Sequence, residues 1–384
     1  MNTESKLNSK KYRILLVIRW PVGGIRTFIR YVYNNFDHSR YSLTILAQDQ
    51  PELRTLLDDL RNLDVTYIPV QYEPRQPGFL LSVAKTILLG RYDVIHSQGF
   101  MSGIYSTIPA RLSRTKHVMT SHDVLLPKQF VGLKGFLKKK LFAFLFPMID
   151  VIHSVSNDAS TNLIETIPNL KKYNEKCITF PNGIEVERFS GVESRDLRKE
   201  LDLPDDTFLI GFLGRFMSQK GFRYLVDALE ILLKSTDLPK KPVIVATGYG
   251  GFIREDKGYL KRKGLEYHVN FLPFSPNIAP ILKGLDVLAI PSLWEACPLL
   301  PMEAMVAGVP LIGTDCIGLR EVLSDTPCMM VAAGNSIGLA GAIEAEIRTS
   351  SKAKAIEFTE EARRRFDVRQ QAARMEALIL NLLD

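Results

Sequence analysis

The sequence predicts two α/β domains, each a doubly wound parallel sheet covered by helices. Short apolar runs alternate with helical stretches along most of the chain. Most of the short runs are continuously apolar, which is typical of strands buried on both faces of a parallel sheet. The alternation occurs in two series with a polar stretch between them, and 384 residues are enough for two cores.

The first series contains seven predicted strands: Tyr12–Ile18, Ser42–Gln48, Asp64–Val70, Asp93–Ser97, His117–Ser121, Val151–Ser156 and Cys177–Phe180. The second contains six: Phe208–Leu213, Val243–Thr247, Val269–Leu272, Val287–Ile290, Leu311–Thr314 and Met329–Ala332. After the first strand of the second series, apolar residues from Phe222 to Leu233 trace one stripe of a helix. The last strong pattern, Glu360–Leu383, predicts one long charged helix.

The domain division is predicted where strand patterns give way to polar residues, between Glu187 and Asp206. We therefore predict an N-terminal domain over residues 10–190, an interdomain linker over 191–206, a C-terminal domain over 207–355 and a helical segment over 356–384.

Composition narrows the class of protein. Hydrophobic residues make up 46% and charged residues 24%, which excludes a disordered chain. The net charge of +7 suits anionic ligands or an anionic surface, but it is too small for a nucleic-acid clamp, so we expect no nucleic acid as partner. Four scattered cysteines indicate neither a zinc site nor a disulfide framework, and they fit a reducing, cytoplasmic compartment. The apolar runs are too short to span a bilayer.

Ligands of open α/β sheets bind beyond the carboxyl ends of the strands. Arg215 and Lys220 follow a predicted strand and precede a helix. A guanidinium fork, an ammonium group and the N–H groups of a helix start can together hold a diphosphate. A solvated loop is the alternative interpretation.

Two glutamates, Glu295 and Glu303, follow a later strand of the same domain. With a helix start near Pro298, Glu295 would lie in the loop and Glu303 roughly two turns into the helix, which Gly308 would cap at its carboxyl end. Both carboxylates could then face one ligand, and the alternative is a solvated helix face. The expected backbone donors to that ligand are Cys297, Leu299 and Leu300.

The first half of the chain offers two weaker signals. Gly23 and Gly24 stand in a predicted loop that opens a helix from about Thr27, where glycine lets the backbone approach a phosphate or sugar. His122 follows a predicted strand directly, and either a structural or a catalytic histidine fits that position.

In combination, these elements resemble the retaining glycosyltransferases of family 4, which have the GT-B fold. The landmarks run in the family's order over roughly residues 12–375, and the paired glutamates with the Arg/Lys element are the specific part. They are Gly23-Gly24, His122-Asp123, Ser154-Val155-Ser156, Pro181-Asn182-Gly183-Ile184, Arg215 with Lys220, and Glu295 with Glu303. Two positions depart from the family pattern: Glu185 stands in place of Asp, and Ala296 in place of Gly.

The resemblance implies two Rossmann-like domains that face a central cleft. The N-terminal domain would bind the acceptor, the C-terminal domain the nucleotide sugar, and the last helix would pack back towards the N-terminal domain. The implied role of Arg215 and Lys220 is to hold the donor diphosphate. Glu303 would bind the ribose and Glu295 the donor sugar. His122 would lie beside the reacting sugar, and Gly24 on the phosphate or acceptor side.

We therefore predict a hexosyltransferase that moves a sugar, with retention, from a nucleotide-diphosphate sugar to a hydroxyl acceptor. The acceptor class implied by the resemblance is a lipid-linked or polysaccharide intermediate of cell-surface glycans. No metal or cofactor is expected, because the chain has no Asp-x-Asp and cations can neutralise the leaving diphosphate. The alternatives are an epimerase or phosphorylase of the same fold, or a catalytically silent sugar-binding subunit.

Residues 130–144 carry one more pattern. Lys134 and Lys138–Lys140 lie beside a stripe of apolar residues at helical spacing, which is typical of a helix on anionic lipid. The alternative is a helix packed on the sheet with a solvated lysine run. The first interpretation predicts a peripheral protein on the cytoplasmic face of a membrane. The apolar stripe comprises Phe130, Leu133, Leu137, Leu141 and Phe144.

Overall fold

The structure is a computed structural model and describes residues 11–71 and 77–384. Residue 10, where the predicted N-terminal domain begins, lies outside the described residues. The chain forms two compact units: the first contains the residues up to 182 together with 368–384, and the second contains residues 183–367.

The first unit is built on seven parallel strands in the order β3-β2-β1-β4-β5-β6-β7. Its elements are β1 (Tyr12–Ile18), α1 (Gly23–Tyr33), β2 (Tyr41–Gln48), α2 (Pro51–Asp59), β3 (Val65–Val70), α3 (Pro77–Leu89), β4 (Val94–Gln98), α4 (Phe100–Ser113), β5 (Lys116–Ser121), α5 (Gly132–Leu145), β6 (Val151–Ser154), α6 (Asn157–Thr166) and β7 (Cys177–Thr179).

The second unit has six parallel strands in the order β10-β9-β8-β11-β12-β13. Its elements are α7 (Leu197–Glu200), β8 (Thr207–Leu213), α8 (Phe222–Leu233), β9 (Lys241–Thr247), α9 (Ile253–Lys263), β10 (Val269–Leu272), α10 (Ala279–Lys283), β11 (Val287–Ile290), α11 (Leu300–Val306), β12 (Leu311–Thr314), α12 (Leu319–Leu323), β13 (Met329–Val331), α13 (Ser336–Arg348), α14 (Lys352–Glu357) and α15 (Thr359–Phe366). The chain ends with α16 (Val368–Leu383), which belongs to the first unit.

The predicted fold class is confirmed, and each of the thirteen predicted strands is present within one or two residues of its predicted ends. The reason is that the central strands are buried on both faces, as the five consecutive fully buried residues Ile14–Ile18 of β1 show. Such strands must be apolar at every position, which makes them visible in the sequence.

The polar stretch predicted as a linker packs as part of the second unit, so the unit boundaries differ from the predicted domain boundaries. Ile184 pairs with Asp367, and Arg195 donates its backbone N–H to Pro280 O at 3.0 Å. Arg198 forms an ion pair with Asp286. These contacts join residues far apart in the chain, so composition alone does not reveal them.

The predicted single helix over Glu360–Leu383 is wrong, because the chain breaks at Asp367 into α15 and α16. The backbone of Asp367 is extended, with ψ 117°, and Ile184 N donates to Phe366 O at 2.8 Å. This pairing with a distant segment overrides the local helical pattern. Beyond the break, Met375 and Ile379 of α16 are fully buried in the core of the first unit.

Helix α5 leaves most of its predicted apolar stripe in solvent. Leu133, Leu137 and Phe144 are 74%, 57% and 66% exposed, and Leu141 and Phe136 are exposed with them. The helix is held instead through its opposite face, which includes Phe142 and Leu145. Residues 133, 137, 141 and 144 therefore do not pack on the sheet.

Phe130 does not belong to this stripe, contrary to the prediction. It ends a 3-10 turn, Pro127–Phe130, and its ring lies 6.0 Å from that of Phe142, centroid to centroid. Lys138 is also engaged: its ammonium group lies 5.2 Å from the Phe130 ring centroid and 5.3 Å from that of Phe142. Burial lowers the pKa of Lys138, although the nearby Asp123 opposes this effect.

Candidate active site

The loops that follow β8 and β9 are joined by backbone hydrogen bonds at the carboxyl edge of the second sheet. Gly214 N donates to Thr247 O at 3.0 Å, and Phe216 N donates to Tyr249 O at 2.8 Å. Gly248 has φ +148°, and a Cβ there would lie 1.7 Å from Gly214 O. Only glycine permits this approach, so the glycine turn after β9 fixes the loop that carries Arg215.

Arg215 is half-buried in that loop. Within the part of the chain that the structure describes, its guanidinium makes no hydrogen bond or ion pair. An arginine side chain has five N–H donors and no acceptor. The loop therefore presents a fixed backbone with an unpaired cation.

Lys220 and Glu295, which the sequence assigned to different parts of the ligand, contact each other. The distance between Lys220 Nζ and Glu295 Oε1 is 2.7 Å, and Ser292 Oγ donates to the same oxygen at 2.7 Å. The Glu295 side chain is 8% exposed and that of Lys220 26%. Burying a carboxylate without such partners would be costly. Ser292 was not identified from the sequence, and no motif points to it.

Hydrogen bonds to two other segments of the chain hold the loop that contains Glu295. Glu295 N donates to Ile317 O at 3.0 Å, and Gln219 Nε2 donates to Trp294 O at 2.7 Å. Gly318 has φ +76°, and a Cβ there would lie 2.4 Å from Glu295 O. Gln219 and Gly318 are thus supporting residues that sequence reasoning missed.

Helix α11 begins at Leu300 rather than near Pro298, and the proline in its first turn is Pro301. Glu303 therefore lies in the first turn, at 9% exposure, and not two turns in as predicted. Its helix ends as expected, with Gly308 at φ +67° directly after the cap residue. Since the first N–H groups of a helix have no partner within it, those of Leu299 and Leu300 can donate to a ligand. Cys297 is buried just before the helix.

Gly24 lies in the first unit, in the first turn of α1, and is exposed. The helix starts at Gly23, with φ +55°, so the prediction of a loop up to about Thr27 is wrong. Thr27 Oγ1 donates to Gly23 O at 3.2 Å and closes this first turn. A Cβ at Gly24 would meet no atom of the described chain within 4 Å, so packing does not require glycine there.

His122 follows β5 and is held by two neighbours. Its Nε2 lies 2.7 Å from Gln98 Oε1, and the ring of Phe28 from α1 meets it edge-on at 4.7 Å. Because an amide oxygen only accepts, Nε2 carries the proton and Nδ1 is left as an acceptor. Burial, and to a lesser degree the neighbouring His153, lower the pKa of His122 to about 3, so the imidazole is neutral at pH 7. Gln98 was not identified from the sequence.

A buried chain of hydrogen bonds crosses the same sheet. It runs from Tyr33 Oη to His96 Nδ1 (2.6 Å), from His96 Nε2 to Thr120 Oγ1 (2.7 Å), from Thr120 to His153 Nδ1 (3.2 Å), and from His153 Nε2 to Phe180 O (3.1 Å). Burial keeps both imidazoles neutral at pH 7, so each carries one N–H. Because the last carbonyl can only accept, every donor then points the same way along the chain. Burial lowers the pKa of His153 to about 4 and that of His96 well below its usual range.

In residues 11–71 and 77–384, no group of three or more His, Cys, Asp or Glu side chains is arranged to hold a metal ion. No helix in those ranges is long and apolar enough to cross a bilayer.

Two family models match the chain and together cover most of it. Residues 22–188 match glycosyltransferase family 4, and residues 207–348 match the glycosyl transferases group 1.

Similar proteins fall in the same class. The chain is 24% identical over 341 residues to the UDP-Gal:alpha-D-GlcNAc-diphosphoundecaprenol alpha-1,3-galactosyltransferase of Escherichia coli, covering 82% of this chain and 84% of that protein. It is 26% identical over 249 residues to the D-inositol 3-phosphate glycosyltransferase of Stackebrandtia nassauensis, covering 62% and 56%. The crystal structure of Anabaena HepE in complex with UDP-glucose superposes with a TM-score of 0.79 at 22% identity, covering 95% of this chain and 99% of HepE. The chain is therefore a hexosyltransferase that belongs to glycosyltransferase family 4 and has the GT-B fold.

Proposed function

We propose that this enzyme transfers a hexosyl group, with retention, from a nucleoside-diphosphate sugar to the hydroxyl of a lipid-linked or polysaccharide acceptor. One observation carries the proposal. An unpaired guanidinium, Arg215, and the Lys220–Glu295 ion pair follow the carboxyl ends of the adjacent strands β8 and β11. That edge of an open α/β sheet is where a phosphorylated ligand binds.

The cations suit the charge that develops during the reaction. When the bond between the anomeric carbon and the diphosphate oxygen breaks, its electron pair stays on the leaving diphosphate. Arg215 can receive that charge with a two-pronged hydrogen bond, and Lys220 can add a point charge. The N–H groups of Leu299 and Leu300 contribute the positive end of a helix. Fixed donors aimed at developing charge are an effective source of rate enhancement.

The polar side chains can orient the donor. Lys220 and Ser292 both bond to Oε1 of Glu295, which leaves Oε2 to accept from a sugar hydroxyl. We assign Glu303 to the ribose hydroxyls. In the first unit, the neutral Nδ1 of His122 can accept from a hydroxyl of the reacting sugar. Gly24 is assigned to the phosphate or acceptor side.

The comparisons support a uridine nucleotide and a lipid-linked acceptor. The Escherichia coli relative is named for UDP-Gal and for a diphosphoundecaprenol acceptor, and HepE was crystallised with UDP-glucose. We therefore propose UDP-hexose as the donor.

A ligand panel tests the donor class. UDP-, GDP- and ADP-hexoses are added to the full chain and the melting temperature is measured. A ligand at 100 times its Kd stabilises the folded state by about 2.7 kcal/mol, so the UDP series should raise the melting temperature most. A panel in which only ADP- or GDP-sugars stabilise the protein would contradict the donor assignment.

Product analysis separates the rival activities. With a polyprenyl diphosphosugar acceptor, the expected product is a disaccharide whose new linkage keeps the anomeric configuration of the donor. Equal rates in EDTA and in Mg²⁺ are expected, because the protein's own cations hold the diphosphate. Conversion of the donor sugar without an acceptor would indicate an epimerase, and dependence on inorganic phosphate a phosphorylase. No turnover with any donor would indicate a silent subunit.

We also propose that α5 holds the enzyme on an anionic membrane at its cytoplasmic face. Its exposed stripe of Leu133, Leu137, Leu141 and Phe144 supports this proposal, because exposing such a row of apolar side chains to water does not stabilise a protein. Lys134, Lys139 and Lys140 are exposed on the same helix and can contact lipid phosphates. The Escherichia coli relative, which is named for a diphosphoundecaprenol acceptor, fits the same location.

A further inference from the structure

A cavity of about 450 Å³ lies in the second unit, away from the site described above. Arg198 lies in the wall of this cavity. Its guanidinium donates to the backbone carbonyl of Thr207 and to the carboxylate of Asp286, which lie at the amino ends of β8 and β11. Arg215 follows the carboxyl end of the same β8. The seven residues of β8 span about 20 Å, so the cavity and the donor site lie at opposite edges of the sheet.

The cavity lining is rich in positive charge. Four cations line it, and they are Arg195, Arg198, Lys283 and Lys352. The two arginines are already neutralised, since Arg195 pairs with Glu200 and Arg198 with Asp286.

The two carboxylates of the lining are already engaged. Asp286 Oδ2 also accepts from Leu209 N at 2.7 Å, and Asp196 Oδ1 caps α7 by accepting from Lys199 N at 3.1 Å. Both carboxylates therefore form contacts that stabilise the fold. Neither of them forms an ion pair with a lysine of the cavity.

Lys283 and Lys352 are left with unpaired ammonium groups. Both are half-buried, and neither forms an ion pair within the described residues. Burial lowers the pKa of Lys352, Asp286 partly opposes this effect, and the positive charge of Lys283 lowers it further. The two ammonium groups thus repel each other across a space from which water is partly excluded. A bound dianion would relieve this repulsion.

We propose that this cavity is a second anion site that binds a phosphate or diphosphate group of a small molecule between Lys283 and Lys352. The volume is in the range of small-molecule sites. Ser350 lines the same cavity; its hydroxyl donates to Glu346 and accepts from the Lys352 N–H at 3.2 Å, which fixes the turn that presents Lys352. This site is independent of the proposed donor site, because it shares no residue with it.

Calorimetric titration of the full chain with inorganic pyrophosphate tests the proposal. The Arg215→Ala variant is used as the background, because it weakens pyrophosphate binding at the proposed donor site. In that background we expect one remaining site. Adding Lys283→Gln and Lys352→Gln should weaken it about tenfold or more, since two charge-assisted contacts are lost.

Two further variants keep the result interpretable. Lys352→Arg preserves the charge and should bind within a few-fold of the Arg215→Ala background. Lys240→Gln with Lys354→Gln removes two exposed lysines outside the cavity and should leave the affinity unchanged. The proposal is overturned if the Lys283/Lys352 variant binds as tightly as this control, or if the Arg215→Ala protein binds no pyrophosphate. Neither result would bear on the donor site, which is measured separately with UDP.

Discussion

The carboxylate of Glu295 lies where water hardly reaches it. Its side chain is 8% exposed, and Lys220 and Ser292 both donate to Oε1 at 2.7 Å. Removing one partner of a buried ion pair costs about 3–5 kcal/mol, because the other charge is left without compensation. The carboxylate is therefore fixed in position. Glu303 lies elsewhere, in the first turn of α11, so the helix backbone determines the position of its side chain.

This difference predicts separate kinetic effects for the two glutamates. Glu303→Gln should raise KM for the donor by about 10- to 100-fold with little change in kcat, because the hydrogen bonds to ribose that we assign to Glu303 would be made equally in the ground and transition states. Glu295→Gln should lower kcat while UDP binding stays near normal, because the role we propose for Glu295 is to orient the sugar as its anomeric bond breaks. Steady-state kinetics with calorimetric titration of UDP separates the two.

The opposite pattern would reverse this assignment of roles. If Glu295→Gln abolishes UDP binding and Glu303→Gln leaves it intact, then Glu295 serves the nucleotide. Ser292→Ala is the matched control, since it removes one donor to Glu295 and keeps the ion pair; it should give a milder loss of kcat than Glu295→Gln.

At the scale of elements, α5 combines an exposed apolar stripe with exposed lysines. Lys138 is excluded from the lipid-facing set because it is half-buried, with its ammonium group against Phe130 and Phe142. Replacing Lys134, Lys139 and Lys140 by Gln should weaken binding to anionic vesicles by about 1 kcal/mol per charge. Leu137→Ser with Phe144→Ser should weaken it further, because the variant buries less apolar surface. Co-sedimentation at low and high salt measures both effects.

Helix α3 offers the matched control. Leu81 and Leu89 are 67% and 75% exposed, comparable to the α5 residues, but they lie on another helix. Their replacement by Ser should leave vesicle binding unchanged. Equal binding of the wild-type protein to neutral and anionic vesicles, or unchanged binding of the α5 variants, would contradict the membrane proposal.

The strands and helices also show which boundaries can be predicted from a sequence. Buried strands such as β1 and β11 were predicted with their correct ends, because burial on both faces demands apolar residues throughout. Helix starts at Gly23 and Leu300 were misplaced, since backbone conformation decides them and composition does not. The break at Asp367 depends on Ile184, a partner far away in the chain.

The residues of the candidate site likewise include some that could be predicted from the sequence and some that could not. Residues that directly follow strands, such as Arg215, His122 and Glu295, could be found from position and residue type. Their supports could not: Ser292 and Gln98 are ordinary polar residues until the fold brings them to 2.7 Å from their partners. The ion pair of Lys220 with Glu295 likewise joins two loops separated by 75 residues.

At the scale of the whole molecule, buried histidines are concentrated in the first unit. His96, His117 and His153 are at most 1% exposed, whereas His268, the histidine of the second unit, is only partly buried. Burial lowers the pKa of His117 to about 3 and that of His153 to about 4. The folded unit keeps them neutral, but the unfolded chain binds protons below a pKa of about 6.5. The free energy of unfolding of the first unit therefore decreases as the pH falls below that value.

This linkage predicts unequal acid sensitivity of the two units. At pH 5 each buried histidine should lower the stability of the first unit by about 2 kcal/mol relative to pH 7. Hydrogen exchange measured at both pH values should show the larger loss of protection in the first unit. His117→Asn should reduce the pH slope, because one titrating group is removed. Equal losses in both units would show that the histidines do not govern acid sensitivity.

The central claim is that the loops at the carboxyl edge of the second sheet stabilise the leaving diphosphate, with Arg215 as the principal cation. The most direct measurement is steady-state turnover of UDP-hexose by Arg215→Ala. The control is Arg363→Ala, which removes an arginine paired with Glu360 on α15. Losing one preorganised donor costs about 3 kcal/mol, so Arg215→Ala should lower kcat by about 100-fold or more, and the control should not. Near-normal turnover by a folded Arg215→Ala protein would contradict the account.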